Sequence, residues 1–452
     1  MDGSISPRLR IAVVGAGISG LSAAWLLGKT HDVTVFDKSE HPGGHSLTVD
    51  AEIGGRKIPV DMGFIVYNTP TYPNLTALFQ HLGVATEPSE MSFGVSFDGG
   101  KFEYSGGSLP GLFAQPSNMF RPRMWSMLAD VVRFYRSAPG HREALEQTHQ
   151  TLGDYLAEHK YGVAFQQDHL LPMAAAIWSA SPAAMAEYPA AAFIRFFENH
   201  GLLRLTGRPI WRTVTGGSRS YVNRLLAASA GVLRSRCCVR AIHREGSGVA
   251  LAMETGHAER FDHVVVATHA DNALALLATP SIDERKLLGR FEYARSAAYL
   301  HTDARLMPKR RRAWSSWNVI NGDKNGAPPC VTYWMNRLQN LPIAEDVFVT
   351  LNPPFEPNPE QVLRAEVFEH PLFDAAALNA QRRLWSLQGQ QHTWFCGSYF
   401  GSGFHEDGLQ SGLAVAEALG TVRRPWSVAG ETSRIHVASA QPARTMGDQL
   451  AQ

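Results

Sequence analysis

The stretch RIAVVGAGISGLSAAWLLGKTHDVTVFD, residues 10–37, decides the fold of this 452-residue chain. Its apolar run at 11–14 is typical of a strand buried on both faces of a parallel sheet. Three glycines, Gly15, Gly17 and Gly20, follow that run, and the segment 21–27, rich in Ala and Leu, predicts a helix. A second strand over 33–36 ends at Asp37. The order strand, glycine turn, helix, strand and acid predicts a βαβ unit.

Each of these residues has a physical task in such a unit. Gly15 permits the tight turn, Gly17 leaves room for a pyrophosphate, and Gly20 lets the helix and the strand pack closely. The helix N-terminus offers unpaired N–H groups and a partial positive charge to the phosphates. Asp37 stands where an acid accepts hydrogen bonds from a ribose. The sequence therefore predicts a Rossmann-like dinucleotide site, and this fingerprint alone leaves NAD and FAD both open.

Composition places the chain among ordinary globular proteins. It is 44% hydrophobic and 18% charged, and its formal net charge of +1 provides no overall attraction to nucleic acid. Four scattered cysteines are too few for a disulfide framework or a zinc site, so we expect reduced thiols and no metal. No stretch has the roughly 20 apolar residues of a spanning helix, nor does a signal peptide open the chain. We expect a cytoplasmic protein, at most peripheral on the inner membrane.

The next segment, SEHPGGHSLTVDAEIGGRKIPVDMGFIVYN (39–68), resembles a signature of the flavin-containing amine oxidase superfamily. In that signature an acid ending the second strand is followed by a Gly-Gly pair and a basic residue, and a D-x-G turn comes later, near the flavin ring. Here the Gly-Gly pair is Gly43 and Gly44, and His45 stands where most members carry Arg. The turn is Asp61 to Gly63. The resemblance implies FAD rather than NAD.

Three later parts of the chain resemble the same superfamily. The segment 211–226 is similar to the return into the nucleotide domain, followed by a strand around 238–242 in which Val239 contacts adenine through its backbone. The segment 261–277 is similar to the strand and turn that come next. The segment 393–420 is similar to the C-terminal motif that closes over the flavin, with Ser398 in place of the usual acid. A helix starting near Asp407 would aim its N–H groups at the flavin. The resemblance implies FAD contacts, without a covalent link, for Gly15, Gly17, Ser19, Gly20, Asp37, Lys38, Gly44, His45, Gly63, Phe64, Val239, Gly397, Asp407, Gly408 and Leu409.

Shorter strings resemble one bacterial branch of this superfamily, found beside cyclopropane-fatty-acid synthase-type methyltransferases. Among them are GGHSLTV (43–49), NHGLL (199–203), LHTD (300–303) and GFHEDGL (403–409). One type of member is a flavin desaturase of methylated fatty acyl chains in furan fatty acid synthesis. The branch resemblance implies a hydrophobic, lipid-linked substrate.

The separated flavin segments predict an α/β protein with a discontinuous FAD-binding domain at 8–80, 205–275 and 390–424. The two insertions, 81–204 and 276–389, are then expected to fold together as an α+β substrate cap. Helical periodicity dominates the first, and β-forming runs such as SAAYLHTD, PCVTYWMN and DVFVTLN mark the second. Residues 425–452 are predicted to be a loosely docked tail.

The catalytic candidates come from aromatic and histidine positions of these segments. His301 draws most interest, because LHTD places Asp303 two residues on, and a His beside a carboxylate can act as a base near neutral pH. The plainer interpretation is that each such residue fills the core. The candidates are His301, Tyr67 and His200, with Trp317, Asn318, Tyr333 and Asn336 as further pocket residues.

Three functions are compatible with the sequence. The first is an FAD oxidoreductase that passes a hydride from a hydrophobic substrate to flavin N5, desaturating a methylated fatty acyl chain of a phospholipid. The second is an amine oxidase that forms imine and hydrogen peroxide, and the third is a non-catalytic flavin-binding protein. Mixed basic and aromatic runs at 307–317 and 120–136 suit contact with a membrane surface, although a solvated loop is the plainer interpretation.

Overall fold

The structure is a computed structural model, and it describes residues 7–148, 150–178, 180–320 and 329–437. The described strands are β1 (Arg10–Val14), β2 (Asp32–Phe36), β3 (Thr48–Ile53), β4 (Arg56–Asp61), β5 (Val66–Asn68), β6 (Thr86–Ser89), β7 (Phe93–Phe97), β8 (Phe102–Ser105), β9 (Trp211–Val214), β10 (Val232–Arg234), β11 (Val239–Glu245), β12 (Gly248–Met253), β13 (Ala258–Phe261), β14 (His263–Val266), β15 (Glu292–His301), β16 (Trp317–Ile320), β17 (Cys330–Trp334), β18 (Phe348–Leu351), β19 (Val362–Leu372) and β20 (Thr393–Phe395).

The described helices are α1 (Ile18–Leu27), α2 (Pro73–Leu82), α3 (Leu109–Leu112), α4 (Pro122–Thr148), α5 (Leu152–Glu158), α6 (Val163–Phe165), α7 (Leu171–Trp178), α8 (Pro182–Ala186), α9 (Ala190–Asn199), α10 (Arg219–Ala227), α11 (Ala270–Leu276), α12 (Ile282–Leu288), α13 (Met335–Leu338), α14 (Ala375–Gln381) and α15 (His405–Gly420). Short 3₁₀ turns add Pro116–Phe120, Ala304–Leu306, Arg311–Ala313, Pro359–Gln361, Leu384–Leu387, Gln390–His392 and Ser398–Phe400, and a π turn spans Gln166–Leu170.

A five-stranded parallel sheet, ordered β10-β2-β1-β14-β20, forms the centre of the nucleotide-binding part. Alternate residues of β1 face opposite sides of this sheet. Ile11 and Val13 pack with α1 and α15, whereas Ala12 and Val14 pack with the antiparallel sheet β11-β12-β13. Burial on both faces explains why the strand is an unbroken apolar run. The arrangement confirms the expected α/β, Rossmann-like class.

A seven-stranded mixed sheet, ordered β19-β15-β18-β17-β16-β7-β8, joins strands from both inserted segments. The runs expected to be strands are β15, β17 and β18, although β15 starts four residues before SAAYLHTD. Strands β6, β7 and β8 lie in the first insertion, where helical periodicity dominates and hides them. The exact domain boundaries stay a prediction.

The chain after α15 is attached more firmly than the predicted loose tail. Arg424 is buried and donates hydrogen bonds to Glu417 and Asn74, and Arg434 pairs with the buried Asp407. These contacts tie residues 423–435 to α15 and to the start of α2. The rest of the predicted tail, 438–452, lies outside the described residues.

Candidate active site

The loop between β1 and α1 has the shape of a phosphate cradle. Gly15 has φ +107°, and a Cβ there would lie 2.8 Å from the carbonyl oxygen of Ala267. A Cβ on Gly20 would lie 1.9 Å from the oxygen of Gly15, whereas a Cβ on Gly17 would meet nothing within 4 Å. No side chain caps the N-terminus of α1 at Gly17. Packing therefore requires glycine at Gly15 and Gly20. Gly17 leaves open space in front of free N–H groups, as a diphosphate needs.

The Gly43-Gly44 pair closes the other side of this cradle. The N–H of Gly43 donates to the oxygen of Ala16 at 2.8 Å, and a Cβ on Gly44 would lie 3.3 Å from the Cα of Gly17. Two glycine loops that are distant in sequence thus meet at one point. Their fit to a diphosphate is good, because neither loop places a side chain between them.

Asp37 organises the cradle at the end of β2. Its carboxylate accepts hydrogen bonds from the N–H groups of Ala16 (2.6 Å) and Ser39 (2.7 Å). The backbone of Asp37 also bonds to Arg234 and Cys237, which brings the segment before Val239 alongside. Asp37 and Val239 are therefore held near one another, while Lys38 is exposed. Their predicted contacts with ribose and adenine stay predictions.

The N-terminus of α15 lies beside the N-terminus of α1. A Cβ on Gly408 would lie 3.0 Å from Cγ2 of Ile18 and 3.9 Å from Cβ of Ser19. The N–H of Gly397 donates to the hydroxyl of Ser411 at 3.0 Å, which fixes the chain between β20 and α15. Two helix N-termini at one sheet edge concentrate partial positive charge there.

Asp407 caps the start of α15 from inside the helix, at its third residue. Helix α15 begins at His405, two residues earlier than expected, so Asp407 lies in its first turn. The Asp407 carboxylate accepts from the N–H groups of Ser402 and Phe404 and pairs with Arg434. Its carboxylate oxygens are thus engaged by the protein, and its predicted contact with FAD stays a prediction.

His405 and Phe64 form a stacked pair next to the D-x-G turn. Their ring centroids are 3.9 Å apart, and the rings are 9° from parallel. Nε2 of His405 lies 2.6 Å from the hydroxyl of Tyr221 and 3.1 Å from that of Ser46. The N–H of Phe64 donates to the oxygen of His45, and a Cβ on Gly63 would lie 2.1 Å from that oxygen. The turn is therefore packed directly on the loop between β2 and β3, which carries the Gly-Gly pair.

Three histidines, His45, His269 and His370, converge beside this turn. The ring of His45 lies 5.4 Å from that of His370 and 6.1 Å from that of His269. Burial, with the neighbouring His370 and His269, lowers the pKa of His45 to about 3, and burial lowers the pKa of His370 to about 4. At neutral pH His45 thus presents a neutral ring. Within the described part of the chain, Nδ1 of His370 is buried and has no hydrogen-bond partner.

An aromatic group stands on the other side of the α15 N-terminus. The ring of His200 lies 3.9 Å from Phe196, 5.5 Å from Phe404 and 6.0 Å from Tyr72. Nδ1 of His200 donates to the oxygen of Phe196 at 2.9 Å, and Nε2 is buried without a partner. Burial and the nearby Arg434 lower the pKa of His200 to about 3. His200 therefore offers one neutral hydrogen-bond acceptor among aromatic rings.

The other catalytic candidates differ in their surroundings: Tyr67 lies 6.2 Å, ring to ring, from Tyr72 of this group, whereas His301 ends β15 in the cap sheet. His301 is fully buried, with Nε2 2.7 Å from the hydroxyl of Thr350 and Nδ1 accepting from the N–H of Asp303. The Asp303 carboxylate pairs with Arg305 instead of the imidazole, and burial lowers the pKa of His301 to about 4. Both ring nitrogens are occupied, so the geometry does not support His301 as a base. Tyr67 packs edge-on to Phe79 and lines a separate cavity of about 250 Å³.

The further pocket candidates serve the cap sheet. Trp317 and Tyr333 face each other across β16 and β17, with ring centroids 5.4 Å apart. Asn318 bonds to the backbone of Ser315, and Asn336 bonds to the backbone of Glu345 and Val347. These contacts stabilise the cap sheet and the turns at its strand ends.

Sequence reasoning missed His269, His370, Phe196 and Phe404. His269 lies three residues after the end of β14. Ligand contacts lie at the carboxyl ends of parallel strands, so this position is a signal that could have found it. His370 and Phe196 lie in the cap segments with no motif around them.

The glycine cradle, the paired helix N-termini and the parallel sheet define a dinucleotide-binding protein of the flavoenzyme type. Residues 18–338 match the model of the family described as flavin containing amine oxidoreductase, and the chain belongs to this family. The family is one of flavin-containing oxidoreductases, and FAD is the cofactor of this chain.

Relatives and solved structures are consistent with this assignment. "Putative flavin-containing monoamine oxidase AofH" of Mycobacterium tuberculosis is 27% identical over 277 residues, which cover 60% of this chain and 59% of that protein. The chain thus matches less than two thirds of the length of this relative. A fatty acid isomerase from P. acnes that produces CLA (TM-score 0.64, 16% identity, 92% of this chain and 99% of that one) shares the fold. Putrescine oxidase bound to putrescine (TM-score 0.65, 14% identity, 91% and 99%) shares it as well.

Proposed function

We propose that the protein oxidises a hydrophobic, uncharged carbon chain, and that it desaturates a methylated fatty acyl chain of a phospholipid. The observation that carries this proposal is the group of Tyr72, Phe196, His200 and Phe404 beside α15. Its side chains are rings in contact with one another, and Nε2 of His200, a neutral nitrogen, has no hydrogen-bond partner among the described residues. Such rings suit an acyl chain, because ligand pockets combine apolar lining with a few placed polar groups.

The neighbouring carboxylates strengthen the case against a cationic substrate. Glu406 is buried, and it accepts hydrogen bonds from the N–H groups of Asn74 and Leu75 at the start of α2. Asp407 is occupied by Arg434 and two backbone N–H groups. A substrate ammonium would therefore find neither carboxylate free, and placing it beside neutral rings would cost desolvation energy.

The residues around the aromatic group would bind, orient and exclude water. Phe196 and Phe404 would hold the chain in contact with their ring faces, and Nε2 of His200 would accept a hydrogen bond from a polar substrate group. Because its pKa is about 3, His200 would not hold a proton at neutral pH. Forming a double bond removes a hydride and a proton from the chain. FAD, when bound, would accept the hydride, and the proton would be released to solvent, since His200 stays neutral.

The test is anaerobic incubation of the purified holoprotein with phospholipid that carries methylated unsaturated chains. We expect the visible flavin absorbance to bleach, and we expect a new double bond in the recovered lipid. His200→Phe should keep the FAD and lower turnover per bound FAD about threefold to tenfold, the loss of one hydrogen bond. His301→Phe is the matched control, and it should leave turnover per bound FAD unchanged. Flavin that stays oxidised with every such lipid would refute the proposal.

An amine oxidase is the second candidate, and two separate points support it. The named mycobacterial relative is called a monoamine oxidase, and aromatic faces also attract amines through cation–π contacts. An anaerobic panel of primary and secondary amines distinguishes the two functions. This candidate would be selected if amines bleach the flavin and the lipids do not. Admitting air should then produce hydrogen peroxide, with imine as the other product.

A further inference from the structure

A cluster of exposed apolar side chains marks one end of the cap, and we call it the apolar tip. It is formed by α3, the turn 116–120 and the first turn of α4. The exposed fractions of Leu109, Met119, Phe120 and Trp125 are 71%, 49%, 85% and 53%. Trp125 lies 5.8 Å from the ring of Phe113, and its indole N–H donates to the oxygen of Met119 at 2.8 Å. Large side chains held so far out of the core indicate a contact surface.

A basic loop, residues 309–312, lies against the apolar tip. The two are joined by Glu103, whose side chain is fully buried. The Glu103 carboxylate accepts from the backbone N–H groups of Lys309 (2.6 Å) and Arg310 (3.1 Å) and pairs with the Arg310 guanidinium. The backbone oxygen of Glu103 accepts from the side chain of Asn118, within the turn 116–120. Tip and loop are therefore fixed to one another by one buried acid.

The surroundings of the tip are strongly cationic. The segments 101–125 and 309–314 contain seven Lys or Arg residues and one acid, Glu103. Arg123 pairs with Asp168 and Arg311 with Asp346. Lys101, Arg121, Lys309 and Arg312 form no salt bridge within the described part of the chain, and the last two are exposed. An apolar centre with an unneutralised cationic rim fits a surface that is apolar inside and anionic outside.

We propose that the apolar tip and the basic loop dock the protein onto an anionic phospholipid bilayer. Phe120, Leu109 and Trp125 would enter the headgroup and acyl boundary, and the cations would lie against the lipid phosphates. The surface keeps Phe120, Trp125 and the basic run 309–312 of the segments expected from sequence, but not the second half of the run 120–136. Phe134 and Tyr135 are buried in the core, and Arg133 pairs with Asp130. This proposal goes beyond the proposed function and does not depend on which substrate is oxidised.

The test measures binding of the FAD-loaded protein to vesicles, without turnover. Vesicles of phosphatidylglycerol with phosphatidylcholine are compared with vesicles of phosphatidylcholine alone, by flotation at low and high salt. We expect binding to the anionic vesicles only, and weaker binding at high salt because salt screens the charges. Leu109→Ser with Phe120→Ser, and separately Lys309→Glu with Arg312→Glu, should each weaken binding about tenfold or more.

Helix α12 offers matched controls on another surface. Ile282 is also 71% exposed, and Arg285 and Lys286 are exposed on the same helix. Ile282→Ser, and separately Arg285→Glu with Lys286→Glu, should bind vesicles as the unchanged protein does. Bound flavin, read from its absorbance, reports that each variant is folded. Absence of binding to anionic vesicles, equal binding to neutral ones, or equal losses in the α12 variants would each overturn the proposal. Because vesicle binding and lipid oxidation are read separately, either proposal can fail without the other.

Discussion

The replacement Arg434→Met tests how the last described segment holds the active site together. Arg434 reaches from that segment to the N-terminus of α15, where its guanidinium lies 3.4 Å from Oδ1 of Asp407. It also donates to the backbone oxygen of Thr71 and lies over the ring of Tyr72. The Asp407 side chain has no exposed surface, and that of Arg434 is 12% exposed. The pair is therefore a buried salt bridge beside the proposed substrate group.

The size of the effect follows from what the replacement leaves behind. Methionine fills much of the volume but removes the positive charge, so Asp407 stays buried with two N–H donors and no counter-ion. Breaking a buried pair in this way costs about 3–5 kcal/mol of unfolding free energy. Burial already raises the pKa of Asp407, and loss of Arg434 raises it further. Because a protonated Asp407 needs no counter-ion, the loss should shrink as the pH falls through that raised pKa.

The assay is chemical denaturation of the holoprotein, followed by circular dichroism and by release of flavin. Arg423→Met is the matched control, because Arg423 pairs with Glu417 and Glu431 in an exposed setting and should cost no more than about 1 kcal/mol. Asp407→Asn combined with Arg434→Met should recover part of the loss, since it removes the unpaired charge. The reasoning is refuted if Arg434→Met loses no more unfolding free energy than Arg423→Met does. It is also refuted if the double variant is no more stable than Arg434→Met alone.

Three further outcomes follow from the same structure. Gly20→Ala places a Cβ 1.9 Å from the oxygen of Gly15 and should yield colourless protein. In the control Gly246→Ala the Cβ meets nothing within 4 Å, so this variant should keep its flavin. Flavin absorbance is measured for both. Burial lowers the pKa of His169 to about 4, so the unfolded chain binds more protons than the folded one below about pH 6.5. The unfolding free energy should therefore fall between pH 6.5 and 4, and this slope should be shallower in His169→Gln; parallel slopes in the two proteins would contradict the assignment. Cys396 is fully buried, and burial raises the pKa of its thiol to about 12, so we expect no covalent bond from it to the flavin. Acid-precipitated holoprotein should therefore release all its FAD into the supernatant. Colour that stays with the pellet would show a covalent link.

The sequence by itself determined the parallel sheet and the cradle, because both rest on short-range patterns. The run 11–14, the glycine spacing and the acid at Asp37 are all read within one βαβ unit, and the structure places each as that unit requires. The Gly-Gly pair is also local, and only its resemblance to a family signature was needed to choose FAD.

The tertiary structure alone decided which side chains meet around that cradle. His45 meets His370 because β19 packs against β3, which begins three residues after His45, and Phe196 meets Phe404 because α9 ends against the start of α15. The same holds for His301, whose neighbour in sequence, Asp303, bonds to Arg305. Long-range packing sets these contacts, and it leaves no periodic signal in the chain because each partner stands in a different segment. Local spacing can encode a turn or a strand, whereas the meeting of distant side chains is a property of the folded core.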